Sequence, residues 1–305
     1  MTQQNTGNIF MVRPANFGFN EQTALSNTFQ QDGAHISNVQ QKAKQEFDSA
    51  VEKLRSAGIN VWVIEDTDDS IRPDAVFPNN WISTHENGTI ILYPMLTENR
   101  RKERRSDIVD TLRQNYFVSK ILDFSNYENK HQFVEGTGSI VFDHTNRFAY
   151  ACISPRTNKE LLEEICSAIN YKSITFRAVN QSGIEIYHTN VLMSIGEDFA
   201  IICLECIADE KERSNIKDSI EKSGKEIIEI RFDQMNSFAG NAISLSSDQK
   251  NILALSQTAY NSLIPEQKIR LEQYCTLLPV RIPTIETIGG GSLRCMIAQN
   301  FLPVR

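Results

Sequence analysis

The stretch DEKERSNIKDSIEKSGKEIIEIRFDQMNSFAGNAISL, residues 209–245, contains one complete structural unit. In its first part, 209–224, Ile216 and Ile220 stand four residues apart among charges, as on the apolar face of a helix. EIIEIR (226–231) is a β-rich run, AGNA (239–242) is a short loop of small and polar residues, and ISL begins a second apolar strand. The order is helix, strand, loop, strand. It recurs along the chain. Helical patterns at 41–58, 100–116, 158–170 and 265–275 precede the runs NVWVIE, KILDF, SITFR and LLPVRIP. These lead in turn to the loops PNNW (78–81), EGTGS (135–139), HTN (188–190) and GGGS (289–292), at intervals of roughly fifty-odd residues.

Repeats of this size bury an apolar face only by stacking on their neighbours. Five units in one chain predict a closed ring, an α/β fold in which all five loops surround one central channel. The competing expectation is a three-layer α/β fold whose regularity is incidental. Nothing in the composition divides residues 1–305, so a single domain is expected. With 40% hydrophobic and 23% charged residues the chain reads as globular, and a net charge of −7 offers no attraction to nucleic acid or an anionic membrane. No cationic start followed by an apolar run opens the chain, and no apolar run nears the ~20 residues of a membrane helix. Six cysteines, several inside apolar runs, suit a reduced, cytoplasmic protein.

The loops carry the elements of cysteine-dependent hydrolysis. Cys295 follows a glycine run in GGGSLRCMI, where a ligand can approach the backbone closely. The neighbouring Arg294 either favours a thiolate or points away. A free cysteine is also commonly a buried strand residue. His188, in YHTNVLM, is placed to move protons, or else is a satisfied structural histidine. Glu135, heading EGTGS, is placed to orient a substrate N–H and assist the histidine, or to cap backbone amides. Their shared position in matching loops of different repeats is what joins them. No role is expected for His35, His85, His131 or His144. CLEC (203–206) lacks a second cysteine pair and reads as strand, and RRKERR (100–105) reads as a solvated helix start. GTGS and GGGS lack a phosphate-loop context, and metal ligands at helical spacing are absent, so neither metal nor organic cofactor is expected.

Taken together, DAVFPNNW, NRRKE, FVEGTGS, SPRTN, YHTN and GGGSLRCM resemble the guanidino-group-modifying superfamily, from about residue 11 to the C-terminus. That superfamily includes arginine deiminases, dimethylarginine hydrolases, amidinotransferases and succinylarginine dihydrolases. The resemblance implies a five-bladed α/β propeller of ββαβ units with Cys295 as nucleophile, His188 as acid and base, and Glu135 as the acidic member. It further implies that Asp74 meets a substrate α-amino group, that Phe77 packs beside the guanidinium plane, and that Arg100 and Arg156 clamp the α-carboxylate.

Two departures bear on the substrate. Asn79-Asn80 stands where dimethylarginine hydrolases carry Glu-Asp, and His188-Thr189-Asn190 stands where deiminases carry H-x-D. Each change removes a charge partner for a guanidinium and adds an N–H donor that suits a neutral ureido C=O. Asn79, Asn80 and Asn190 are therefore expected to bind substrate, and the pattern looks most like the citrulline utilisation hydrolases. The expected reaction converts citrulline to ornithine, CO2 and ammonia through a thiocarbamate on Cys295. The oxyanion would be held by Asn80 and Asn190, with help from backbone N–H groups near Gly290. The alternatives are a deiminase or dihydrolase acting on arginine or a derivative, and a non-catalytic propeller that docks on other proteins. The expected partner is a small amino acid, and pairing of copies through an exposed propeller face remains open.

Overall fold

The computed structural model describes residues 3–33, 36–247 and 250–305, so His35 lies outside the described residues. Its sheets are five, each of three strands. They comprise β3 (Ile82–His85), β4 (Thr89–Leu92) and β5 (Lys120–Asp123); β6 (Val141–Asp143), β7 (Phe148–Cys152) and β8 (Lys172–Phe176); and β9 (Met193–Ile195), β10 (Phe199–Ile202) and β11 (Glu226–Glu229). The fourth is β12 (Ile243–Leu245), β13 (Ile252–Ser256) and β14 (Thr276–Val280). In the fifth, β1 (Asn8–Arg13) lies between β2 (Asn60–Glu65) and β15 (Ala298–Gln299), so the two ends of the chain share one sheet and close the ring.

Within each sheet the middle strand runs antiparallel to an inner strand and parallel to an outer one. A parallel pair needs a crossover, which one helix per blade supplies. These helices are Val39–Ser56, Ser106–Asn115, Lys159–Ala168, Glu210–Lys222 and Pro265–Tyr274. The helix Val39–Ser56 buries Ala43, Phe47, Ala50, Val51 and Leu54, the three- and four-residue spacing of a single face. In Glu210–Lys222, Asp209 caps the start by accepting from Glu212 N, and Gly224 at φ +80° lets the chain leave. The inner strands β3, β6, β9, β12 and β15 pack side by side around the centre. The five polar loops precede these inner strands, GGGS with the turn Leu293–Met296 between it and β15, so they gather at one end of the channel. At the other end sits the N-terminal segment, where Gln4 donates to Phe142 O at 3.0 Å and accepts from His144 N at 2.8 Å.

Two local expectations need correction. The helix expected over 100–116 is broken into a turn, Glu98–Arg101, and the helix Ser106–Asn115. The basic run between them is not a solvated helix start, because Arg100 pairs with Glu103, Arg104 with Glu128 and Arg105 with Asp107. CLEC is likewise not strand: β10 ends at Ile202 and Leu204–Cys206 forms a tight turn, with Cys203 and Cys206 buried in the core.

Candidate active site

Cys295 sits in the turn Leu293–Met296, just before β15, and is 7% exposed. Two carboxamides converge on its sulfur. Asn190 Nδ2 lies 3.5 Å from Sγ and Asn241 Nδ2 lies 3.3 Å away, while Asn241 also donates to Asn190 O at 3.0 Å. Asn190 follows His188 in the loop before β9, and Asn241 belongs to the loop AGNA before β12. Asn241 was not anticipated from the sequence. The signal was its place in the fourth matching loop, which carried no titratable residue to draw notice.

His188 Nε2 lies 2.8 Å from Glu135 Oε2, so matching loops gather Cys295, His188 and Glu135 at the loop end of the channel. Cys295 and His188 line one cavity of about 290 Å³, mouth included. Glu135 stands behind the histidine, fully buried. Its Oε1 accepts from Leu96 N at 2.9 Å, and its Oε2 also faces Arg156 Nη1 at 3.4 Å. Fully buried and outside the cavity lining, it does not present an oxygen to substrate N–H groups, contrary to that part of the sequence expectation. Burial opposes its charge, yet Arg156, His188 and Arg100 together hold it well below the usual carboxylate range. Burial pushes His188 down to about 4 against the opposing pull of Glu135, which leaves the imidazole neutral at pH 7. A neutral ring that donates through Nε2 keeps Nδ1 as its acceptor.

The loop Glu135–Ser139 holds this geometry through close approach. A Cβ at Gly138 would lie 2.3 Å from Asn80 Nδ2 and 2.8 Å from the His188 ring. Opposite, Gly290 adopts φ +61°, and its carbonyl accepts from Tyr187 O–H at 2.9 Å.

Asp74, Phe77, Asn80, Arg100 and Arg156 line the same cavity, each in a way that qualifies its expected role. Asp74 Oδ2 accepts from Asn20 Nδ2 at 2.7 Å, while its buried Oδ1 has no partner. Burial raises its pKa against the pull of Arg100. Phe77 forms the wall against Gly289 and Gly291. Asn80 Oδ1 accepts from Arg100 Nη1 at 3.0 Å, and its Nδ2 is directed at Glu135 O, 3.5 Å away. Asn80 therefore faces the cavity but does not serve as the expected oxyanion donor; the amides at the sulfur are Asn190 and Asn241. Asn79 is buried outside the cavity wall, with neither side-chain polar atom partnered, so a direct substrate contact is not supported.

Arg100 directs Nε and Nη2 at the two oxygens of Glu103, each at 2.9 Å, so this edge is not open to a substrate carboxylate. Arg156 stacks over Tyr187 and donates to Ser26 Oγ at 2.6 Å and to Thr23 O at 3.2 Å. Among the described residues no cluster of three His, Cys, Asp or Glu side chains could hold a metal ion. No helix among them is long and apolar enough to cross a membrane.

Fold and site define a class: a five-bladed α/β propeller with a cysteine, a histidine and a carboxylate from separate blades at one end of its channel. Residues 13–302 match the family described as N,N dimethylarginine dimethylhydrolase, eukaryotic, and the chain belongs to that family, within the guanidino-group-modifying superfamily. No curated protein sequence matches.

Three solved structures share the fold. The N-terminal domain of ArgZ, a cyanobacterial arginine dihydrolase, as a cysteine-to-serine mutant bound to substrate, superposes with a TM-score of 0.75 at 15% identity, covering 97% of this chain and 99% of that one. AgrE, as a cysteine-to-alanine mutant with L-arginine, gives 0.77 at 14% identity, with 98% of this chain against 40% of its own. A dimethylarginine dimethylaminohydrolase adduct with S-methyl-L-thiocitrulline gives 0.64 at 14%, covering 98% and 100%. The chain thus spans about two fifths of the ArgZ and AgrE full-length chains.

Proposed function

We propose that this chain, folding as one propeller, is a cysteine hydrolase of C–N bonds in a guanidino amino acid, and that it works as an arginine dihydrolase. The supporting observation is the pair of neutral amides, Asn190 and Asn241, at the Cys295 sulfur, with His188 in the same cavity wall as Cys295 and Glu135 paired behind it. Cys295 adds to the guanidino carbon as its thiol proton passes to the neutral His188, His188 delivers that proton to departing ammonia, and water, giving a proton back to His188, displaces the sulfur to leave a ureido group. A site with carboxylates at the sulfur would favour only the cationic substrate. Amides there keep the ureido group in place for a second attack, because their N–H groups meet its oxygen.

That attack expels the second ammonia and leaves a thiocarbamate. Water then releases a carbamate, which decomposes. The balance is arginine plus two waters giving ornithine, two ammonia and CO2, and side chains supply both nucleophile and proton shuttle. Citrulline, the substrate expected from the sequence, is the midpoint of this path. The substrate carboxylate takes Arg156 by displacing Thr23 and Ser26, and the α-amino group takes the unpartnered Asp74 Oδ1.

The deciding measurement is ammonia and amino-acid product from arginine, citrulline, dimethylarginine, succinylarginine and agmatine, with Cys295→Ala as the blank. A dihydrolase releases two ammonia per ornithine from arginine and one from citrulline. Accumulated citrulline identifies a deiminase, inert arginine with active citrulline restores the citrulline reading, and dimethylamine identifies the methylated substrate. Activity surviving in Cys295→Ala removes the mechanism altogether.

A further inference from the structure

The turn Leu293–Met296 presents Cys295 to the catalytic cavity and Arg294 to a different one, and the two cavities share no lining residue. The second cavity, about 600 Å³ with its mouth, is bounded by residues of all five inner strands, among them Thr84, Phe142, Ile195, Ser244 and Gln299. It is therefore the opposite end of the same channel. Arg294 is 7% exposed, donates from Nη1 to Ala242 O at 3.3 Å, and has no partner for Nε. No acidic side chain among the described residues pairs with it, which is an uncommon condition for a buried guanidinium. Burial pushes its pKa down only to about 10, so it stays charged.

Other unused donors meet it there. Asn5, 5% exposed, leaves both amide atoms unpartnered, and Ser244, 4% exposed, leaves its hydroxyl unpartnered. An adjoining cavity, sharing His85, His144 and Phe301, carries Arg147 and Glu86. His85 and His144 are neutral at pH 7, since burial first, and then nearby positive groups, push them down to about 4 and about 3.

We propose that this end of the channel binds a small carboxylate anion, with the Nε edge of Arg294 as its charge partner and Asn5 and Ser244 as added donors. A planar carboxylate matches the guanidinium edge, and a single cation suits one negative charge better than a doubly charged phosphate.

The probe is formate, titrated against chloride at equal ionic strength while the melting temperature is followed. A saturable rise of several degrees with formate is expected in the unsubstituted protein and in Arg156→Gln, and its loss is expected in Arg294→Gln. A rise that vanishes in Arg156→Gln and survives in Arg294→Gln places the anion in the catalytic cavity and overturns the proposal, as does an equal response to chloride. A larger response to inorganic phosphate than to formate overturns the assigned class. If Arg294→Gln does not fold, a formate-soaked crystal decides: formate on Arg294 Nε supports the site, and its absence there refutes it. Because catalysis is not read, failure here is separate from failure of the proposed hydrolysis.

Discussion

Replacing Asn241 by alanine removes the amide that lies 3.3 Å from the Cys295 sulfur and leaves Asn190 as the only amide there among the described residues. If the amide donates to the oxyanion that forms beside that sulfur, the loss falls on kcat more than on KM, at about 10²- to 10³-fold, as for loss of one preorganised donor. Steady-state kinetics with arginine check this, and an unchanged kcat rules out the assigned role. Cys295, His188 and Glu135 drew notice in the sequence because each is a reactive residue type in or directly after a recurring loop. Asn241 was not, because an asparagine in a loop is ordinary until a sulfur is found beside it.

The loop Glu135–Ser139 shows how an element, more than any one functional group, sets the site. Its backbone passes so close to Asn80 and His188 that Gly138→Ala must displace one or both side chains. We expect kcat to fall at least about tenfold with the protein still folded, read from kinetics beside a melting curve. Full activity would mean that the histidine tolerates the shift. The same crowding explains why Asn80 spends its amide on Glu135 O and Arg100, and so why an oxyanion role read from its position in PNNW did not hold. The break in the helix expected over 100–116 falls at Arg105, whose backbone is extended (φ −85°, ψ 121°), next to the long-range pairing of Arg104 with Glu128.

At the scale of the molecule, three of the described histidines are buried without charge: His85 and His188 with a pKa of about 4, and His144 of about 3. In the unfolded chain each takes a proton near its ordinary value of 6.5. Between about pH 6.5 and about 4 the unfolded state therefore holds more protons, so stability falls as pH falls, by about 1.4 kcal/mol per pH unit for each histidine. Urea denaturation at pH 7, 6 and 5 should show a steadily decreasing midpoint. A flat midpoint would mean that the histidines are hydrated.

By itself the sequence determined the repeat, the helix and strand order, and the loops that carry Cys295, His188 and Glu135, because apolar spacing and turn residues are local properties. How the expected ring closes needed the tertiary structure. β15 is two residues long and invisible to any periodicity, yet it joins the ends of the chain by pairing with β1. Side-chain direction at the centre was also decided only there. Neighbouring residues in one turn face opposite ends of the channel, Cys295 toward the cavity that His188 lines and Arg294 away from it, and that choice depends on how five blades pack and not on any one of them.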